Sequence, residues 1–194
     1  MFYKRAASAF VMTLALSVSA CSKAPTAATG GAETANAATA PSSSGFTLAS
    51  DPCQALFDAM IAQAKRPYAA MITTTGPGSS RKQSETRIVD GKSYFQVDGA
   101  WHSAPQTVDQ MVNDLTQVHK TATQTCKASG DEAVGGKPAG IYDAHIVNQG
   151  SASDNRLWIS KETGLPLKSE AHLEGGSVVD QVFNYDNVTA PAGA

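Results

Sequence analysis

At 194 residues, with 15 Lys and Arg against 17 Asp and Glu, the chain carries a formal net charge of −2 and shows no block of like charges. Phosphate-tracking surfaces need clustered Lys and Arg, so a nucleic-acid partner is excluded at this level. The chain holds one domain's worth of sequence beyond its N-terminal segments, and a domain of that size buries about two thirds of its unfolded surface without needing a metal to fold.

Residues 1–20 read as a signal peptide: Lys4 and Arg5 form a basic start, and the apolar stretch that follows is too short to span a bilayer comfortably as a helix. Its end, Val18-Ser19-Ala20-Cys21, resembles the lipobox of bacterial lipoprotein precursors, in which an aliphatic residue and two small ones precede the Cys that receives the lipid. That resemblance implies lipidation of Cys21 and a membrane partner through an N-terminal acyl anchor. With Lys4 and Arg5 removed, 13 basic residues face 17 acidic ones. Ser22 follows the Cys in place of the Asp that retains enteric lipoproteins at the inner membrane, which favours the outer membrane, with the domain facing the periplasm.

Residues 21–50 are almost entirely Ala, Thr, Ser, Gly and Pro. Such a segment has too little large apolar surface to offset its ordering entropy and is expected to be a disordered tether, with a random-coil span of roughly 30 Å. The folded domain then occupies residues 51–194. With Cys21 acylated, Cys53 and Cys126 remain as an even pair in an exported, oxidising setting, where a disulfide is expected; no C-x-x-C spacing points to redox chemistry.

In the domain, Asp51-Pro52-Cys53-Gln54 supplies an N-cap acid, Pro at the first helical position and Gln at the third. Cys53, Leu56, Phe57, Met60, Ile61 and Ala64 follow at helical spacing and form one apolar face, ending before Pro67. A strand is expected over Tyr68 to Thr75. The pairs Asp90-Gly91 and Asp98-Gly99 separate strand-like runs and favour tight hairpin turns. A second one-sided helix is expected over about 105–119, with Val108, Met111, Val112, Leu115 and Val118 as its stripe and either Thr107 with Gln110 or Ser103 with Gln106 as its capping box.

From Thr121 the pattern returns to strands, over 121–128, 141–148, 156–161, 165–173 and 178–185, with turns at Thr163-Gly164 and Gly175-Gly176. The fold class is α+β: a strongly curved antiparallel sheet with the helices segregated on one face. Along 165–173, alternation places Leu165, Leu167, Ala171 and Leu173 on one face and Lys168, Glu170 and His172 on the other. Leu157 and Ile159 claim one face of their strand, which leaves Trp158 with Arg156.

The segment Leu157 to Glu170 (LWISKETGLPLKSE), the later Phe183 to Val188 (FNYDNV) and the stretch Tyr94 to His102 (YFQVDGAWH) resemble strands of periplasmic lipoprotein-carrier proteins, the LolA/LolB-like half-barrels. The resemblance implies an open half-barrel, with two or so helices covering its concave face, that binds an acyl chain, lipid, lipidated peptide or other apolar ligand in its concavity. Leu165, Leu167, Phe183, Tyr94 and Trp101 are the side chains expected to border that cavity. The chain departs from the soluble carrier in having its own anchor and tether.

Enzymatic chemistry is not indicated. His102, His119, His145 and His172 show no ligand spacing on a single element, and no nucleophile elbow, P-loop or dinucleotide fingerprint occurs, so neither metal nor cofactor is expected. Asp180 and Asp186 could approach Glu170 across hairpins, but carboxylates on solvent-facing strand positions ordinarily serve solubility. An envelope protein-interaction or stress-sensing module without a small ligand is the alternative function. Nothing in the sequence sets an oligomeric state.

Overall fold

Asp51 does what its position predicts: its side chain accepts a hydrogen bond from the backbone N–H of Gln54 at 2.8 Å and starts helix α1, Pro52–Ala64. Pro52 fits there because the first helical N–H has no partner to lose. In the computed structural model, which describes residues 47–97 and 99–193, α1 is followed by β1 (Tyr68–Thr75), β2 (Lys82–Val89), β3 (Lys92–Val97) and β4 (Ala100–Pro105). Helix α2 (Val108–Thr121) then precedes β5 (Thr123–Val134), β6 (Lys137–Asn148), β7 (Ser151–Ser160), β8 (Pro166–Leu173) and β9 (Val178–Asn184). The stretches expected to be signal peptide and tether, apart from residues 47–50, lie outside the described residues, as does Cys21.

All nine strands form one antiparallel sheet in the order β4-β3-β2-β1-β9-β8-β7-β6-β5. It does not close: β4 and β5 are its two edges, and the architecture is the expected open half-barrel. Asp90 (φ 52°) and Gly91 (φ 70°) both take the left-handed conformation that a two-residue hairpin turn demands, which explains their pairing in the sequence.

Two core clusters hold the helices on the concave face. Ala55 and Ala59 of α1 meet Tyr142, Leu157 and Ile159, and their small side chains let the helix backbone approach the strands closely. Ala64, Ile88 and Met111 form the second cluster, where α1, β2 and α2 converge. A capping box starts α2: Thr107 Oγ1 accepts from the Gln110 backbone N–H at 3.1 Å, and Gln110 Oε1 accepts from the Thr107 N–H at 2.9 Å. The disulfide between Cys53 and Cys126, with Cα atoms 5.2 Å apart, ties the first turn of α1 to edge strand β5.

The outer face has its own small core of Ala139, Trp158 and Leu167, joined by Val134 and Ile141. Trp158 therefore sits opposite Leu157 and Ile159, as strand alternation requires. Leu167 departs from the expected parity. Ile159 pairs with Pro166 and Trp158 with Lys168, so Leu167 is an extra residue in β8, and this bulge turns its side chain to the outer face. Ala171 and Leu173, beyond the bulge, regain the concave side.

Candidate functional site: the trough under the helices

Because the helices bury only part of the concave face, a trough remains between them and the sheet. Its inner lobe, about 370 Å³, is bounded by Leu56, Phe57 and Met60 of α1, Leu115 and Val118 of α2, and Ile146, Leu157, Ala171 and Phe183 of the sheet. These helix residues are the apolar stripes evident in the sequence, now directed at the strands. A second, more open lobe of about 690 Å³ runs over β1, β2 and β3, lined by Ala70, Ile72, Ile88 and Phe95 together with several hydroxyl and amide side chains. Both volumes fall in the range of small-molecule sites, roughly 300–1,000 Å³.

The lobes meet at Tyr68 and Gln181, which line both. Tyr68 packs edge-on to Phe183, with ring centroids 6.1 Å apart, and burial raises its pKa above the usual tyrosine value. Nearby, the Tyr185 hydroxyl donates to the Pro166 carbonyl at 2.6 Å and accepts from Gln63 Nε2 at 3.1 Å. Burial pushes its pKa up as well, against the opposing bond from Gln63, so both phenols stay neutral at physiological pH. At the other end of α2, His119 stacks on Phe57 with centroids 4.2 Å apart.

Of the five side chains expected at the cavity, Phe183 lines the inner lobe. Leu167 is on the outer face, for the reason given above. Leu165 is buried beside the Thr163-Gly164 turn, its N–H donating to Thr163 Oγ1 at 3.3 Å and its carbonyl accepting from Ser160 N–H. Tyr94 alternates with Ser93 and Phe95, which face the open lobe, and so is buried on the outer side. Trp101 shares that side, under Arg87, whose guanidinium carbon is 5.3 Å from the ring centroid. The helix residues Leu56, Phe57, Met60, Leu115 and Val118 were legible as apolar stripes but not as ligand contacts, because periodicity shows which side of a helix is covered and not how completely.

Outside the trough, the outer face carries a ladder of charge. Asp143 accepts two hydrogen bonds from Arg156, from Nε at 2.6 Å and Nη2 at 3.2 Å, and one from Ser129 Oγ at 2.6 Å. Hydrogen bonding to Arg156 is the main reason its pKa is held down at about 2. His145 Nδ1 lies 2.7 Å from Asp154, and His172 Nε2 lies 2.7 Å from Glu170. Among the described residues, no three His, Cys, Asp or Glu side chains come together as a metal site, and no helix is long and apolar enough to cross a membrane.

No protein-family model matches the sequence, and no curated protein matches it. Solved structures do. The chain is similar to the lipoprotein LppX of Mycobacterium tuberculosis, with 12% identity over 72% of this chain and 98% of that one, at a TM-score of 0.50. It is also similar to MucB of Pseudomonas aeruginosa, in a structure of the MucA/MucB complex, with 21% identity over 74% of this chain and 59% of that one, at a TM-score of 0.46. A LolA superfamily protein from Nitrosomonas europaea aligns at 8% identity over 64% of this chain and 90% of that one, at a TM-score of 0.25. The likeness to LppX shows a shared fold, the open antiparallel half-barrel with helices in its concavity.

Proposed function

We propose that the protein is a non-catalytic envelope lipoprotein, anchored through acylated Cys21 to the outer membrane, that holds an apolar or amphiphilic ligand in its trough. The observation that carries this reading is the inner lobe. Leu56, Phe57, Met60, Leu115, Val118 and Phe183 surround a space the helices leave unfilled, although a packed interior ordinarily leaves few voids larger than a water molecule. An acyl chain entering it gains about 0.8 kcal/mol per buried methylene before the costs of association. The tether, on this reading, lets the domain work clear of the bilayer that anchors it.

Binding of a fluorescent fatty-acyl probe to the exported full chain carrying Cys21→Ala tests the proposal. Longer chains should displace the probe better than shorter ones. Val118→Asp, which puts a charge into the lobe from a position already 38% exposed, should weaken binding at least tenfold with little loss of stability. Absence of saturable binding for every chain length overturns the reading. A second reading, a protein-interaction module, draws on Met71 and Val182, which pair across β1 and β9 on the outer face and are 44% and 50% exposed. Loss of partner capture by Met71→Ser with Val182→Ser, in the absence of acyl binding, would favour it.

A further inference from the structure

The strands under the open lobe divide their charge unequally between the two faces. On β2, Ser84, Thr86 and Ile88 line the lobe, and positions two apart on a strand share a face. Lys82, the first residue of β2, therefore stands on the same inward face, directly opposite Thr74 of β1, which lines the lobe as well. The other charged residues of β1, β2, β3 and β9 fall on the outer face: Glu85 and Arg87 of β2, Lys92 of β3, opposite Val89, and Asp180 of β9, opposite Thr73. Lys82 is half-buried and enters no ion pair among the described residues. Glu85, the acid bordering the lobe, is held by Arg87 at 2.7 Å, and Glu174, in the turn before β9, is exposed.

Thr74 is the cross-strand partner of Lys82, with side-chain origins about 5 Å apart in such a pair. Ser84 is its next same-face neighbour, about 7 Å along the strand. One ammonium with three donors and two hydroxyls thus stand together at the end of the lobe, a set that suits the oxygens of a phosphate or carboxylate. From there the sheet leads to the inner lobe. Lys82 lies one same-face step from Ser84, which pairs with Ile72, which pairs with Gln181, and Gln181 borders both lobes. Two strand spacings and that one step make a diagonal of about 12 Å, within the length of a twelve-carbon chain.

We infer that the trough takes amphiphiles with an anionic phosphate or carboxylate head, the head seated on Lys82 beside Thr74 and Ser84 and the acyl chain running past Gln181 into the inner lobe. The inference rests on the proposed binding of an amphiphile in the trough, and its test separates the two. Dodecyl phosphate, dodecanoate, dodecyl maltoside and dodecyltrimethylammonium are titrated below their micelle concentrations into the exported full chain carrying Cys21→Ala. At least one of the two anions should bind about tenfold or more tightly than the maltoside and the ammonium compound, and the preferred anion tells phosphate from carboxylate. Lys82→Met, which keeps the apolar stem and removes the charge, and separately Lys82→Gln, should erase that preference while leaving the maltoside affinity and the melting temperature in place. Inorganic phosphate, which carries the head without the chain, should displace dodecyl phosphate only weakly; displacement at equal concentration assigns the site to the free anion and overturns the inference. A neutral or cationic compound binding as tightly as both anions, an unchanged preference in either folded variant, or an equal loss for the maltoside overturns it and leaves apolar binding standing. No binding by any of the four overturns the functional proposal and this inference with it.

Discussion

Asp143 gathers three donors at the surface, from Arg156, Ser129 and Lys127, the last at 3.6 Å. Its pKa is depressed, so its stabilising contribution is fully present above about pH 4, the unfolded value, and is lost as the pH falls through about 2. Arg156 is 47% exposed, and solvent screening brings that contribution to about 1 kcal/mol. Urea midpoints of wild type and Asp143→Asn should differ by that amount at pH 6 and converge near pH 2. Trp158 is better sheltered: its indole N–H donates to Glu132 at 2.7 Å, and Lys168 Nζ stands 4.2 Å from the ring centroid. Its outward direction was readable from Leu157 and Ile159 alone, since the extra residue of the bulge stands on β8 and leaves the alternation along β7 unbroken. Leu167 looked equally clear and was not. Alternation counts residues, and one extra residue reverses every direction counted across it.

At the scale of elements, the capped helix starts were the most legible features, because a cap is written in residues that touch one another along the chain. Thr107→Ala should cost about 1 kcal/mol in a urea melt, since it leaves the Gln110 N–H without its side-chain acceptor. Strands β5 and β6 were underestimated. Their ends run to Val134 and begin at Lys137, around a turn in which Gly135 and Gly136 have φ of 59° and 78°. The glycine-rich stretch between Ser129 and Gly140 suggested a loop, yet its pairing is made by backbone groups that composition does not report. The disulfide joins elements 73 positions apart. In the chain-entropy account a loop of that length stabilises the fold by about 4 kcal/mol. Replacing both cysteines by Ser should lower the melting temperature, read by circular dichroism with and without reductant, while the native spectrum at 25 °C persists.

For the whole molecule, the curved sheet with its helices on one face followed from one-sided helices and alternating strands, and the open half-barrel from the family resemblance, whereas the site did not, because a cavity is what packing leaves over and no single residue type marks it. The proposed anchor belongs to this scale too. Fractionation should find wild type with membranes and Cys21→Ala in the soluble fraction, since more than one acyl chain is needed for stable attachment and the variant has none. The strand order carries one more consequence, for the time course of biogenesis. Strands β1 to β4 pair only with sequence neighbours, as do β5 to β9, and the two meanders are sewn together along a single seam where β1 meets β9, with Ala69 opposite Asn184 and Thr75 opposite Val178. Everything else in the sheet can zip up locally before the last strand is available. The seam must wait for the last strand and then close across more than a hundred intervening residues, which makes it the slow, non-local step of assembly. Until then Val182 and Met71 flank two open strand edges, and that interval is when the nascent chain most needs a chaperone.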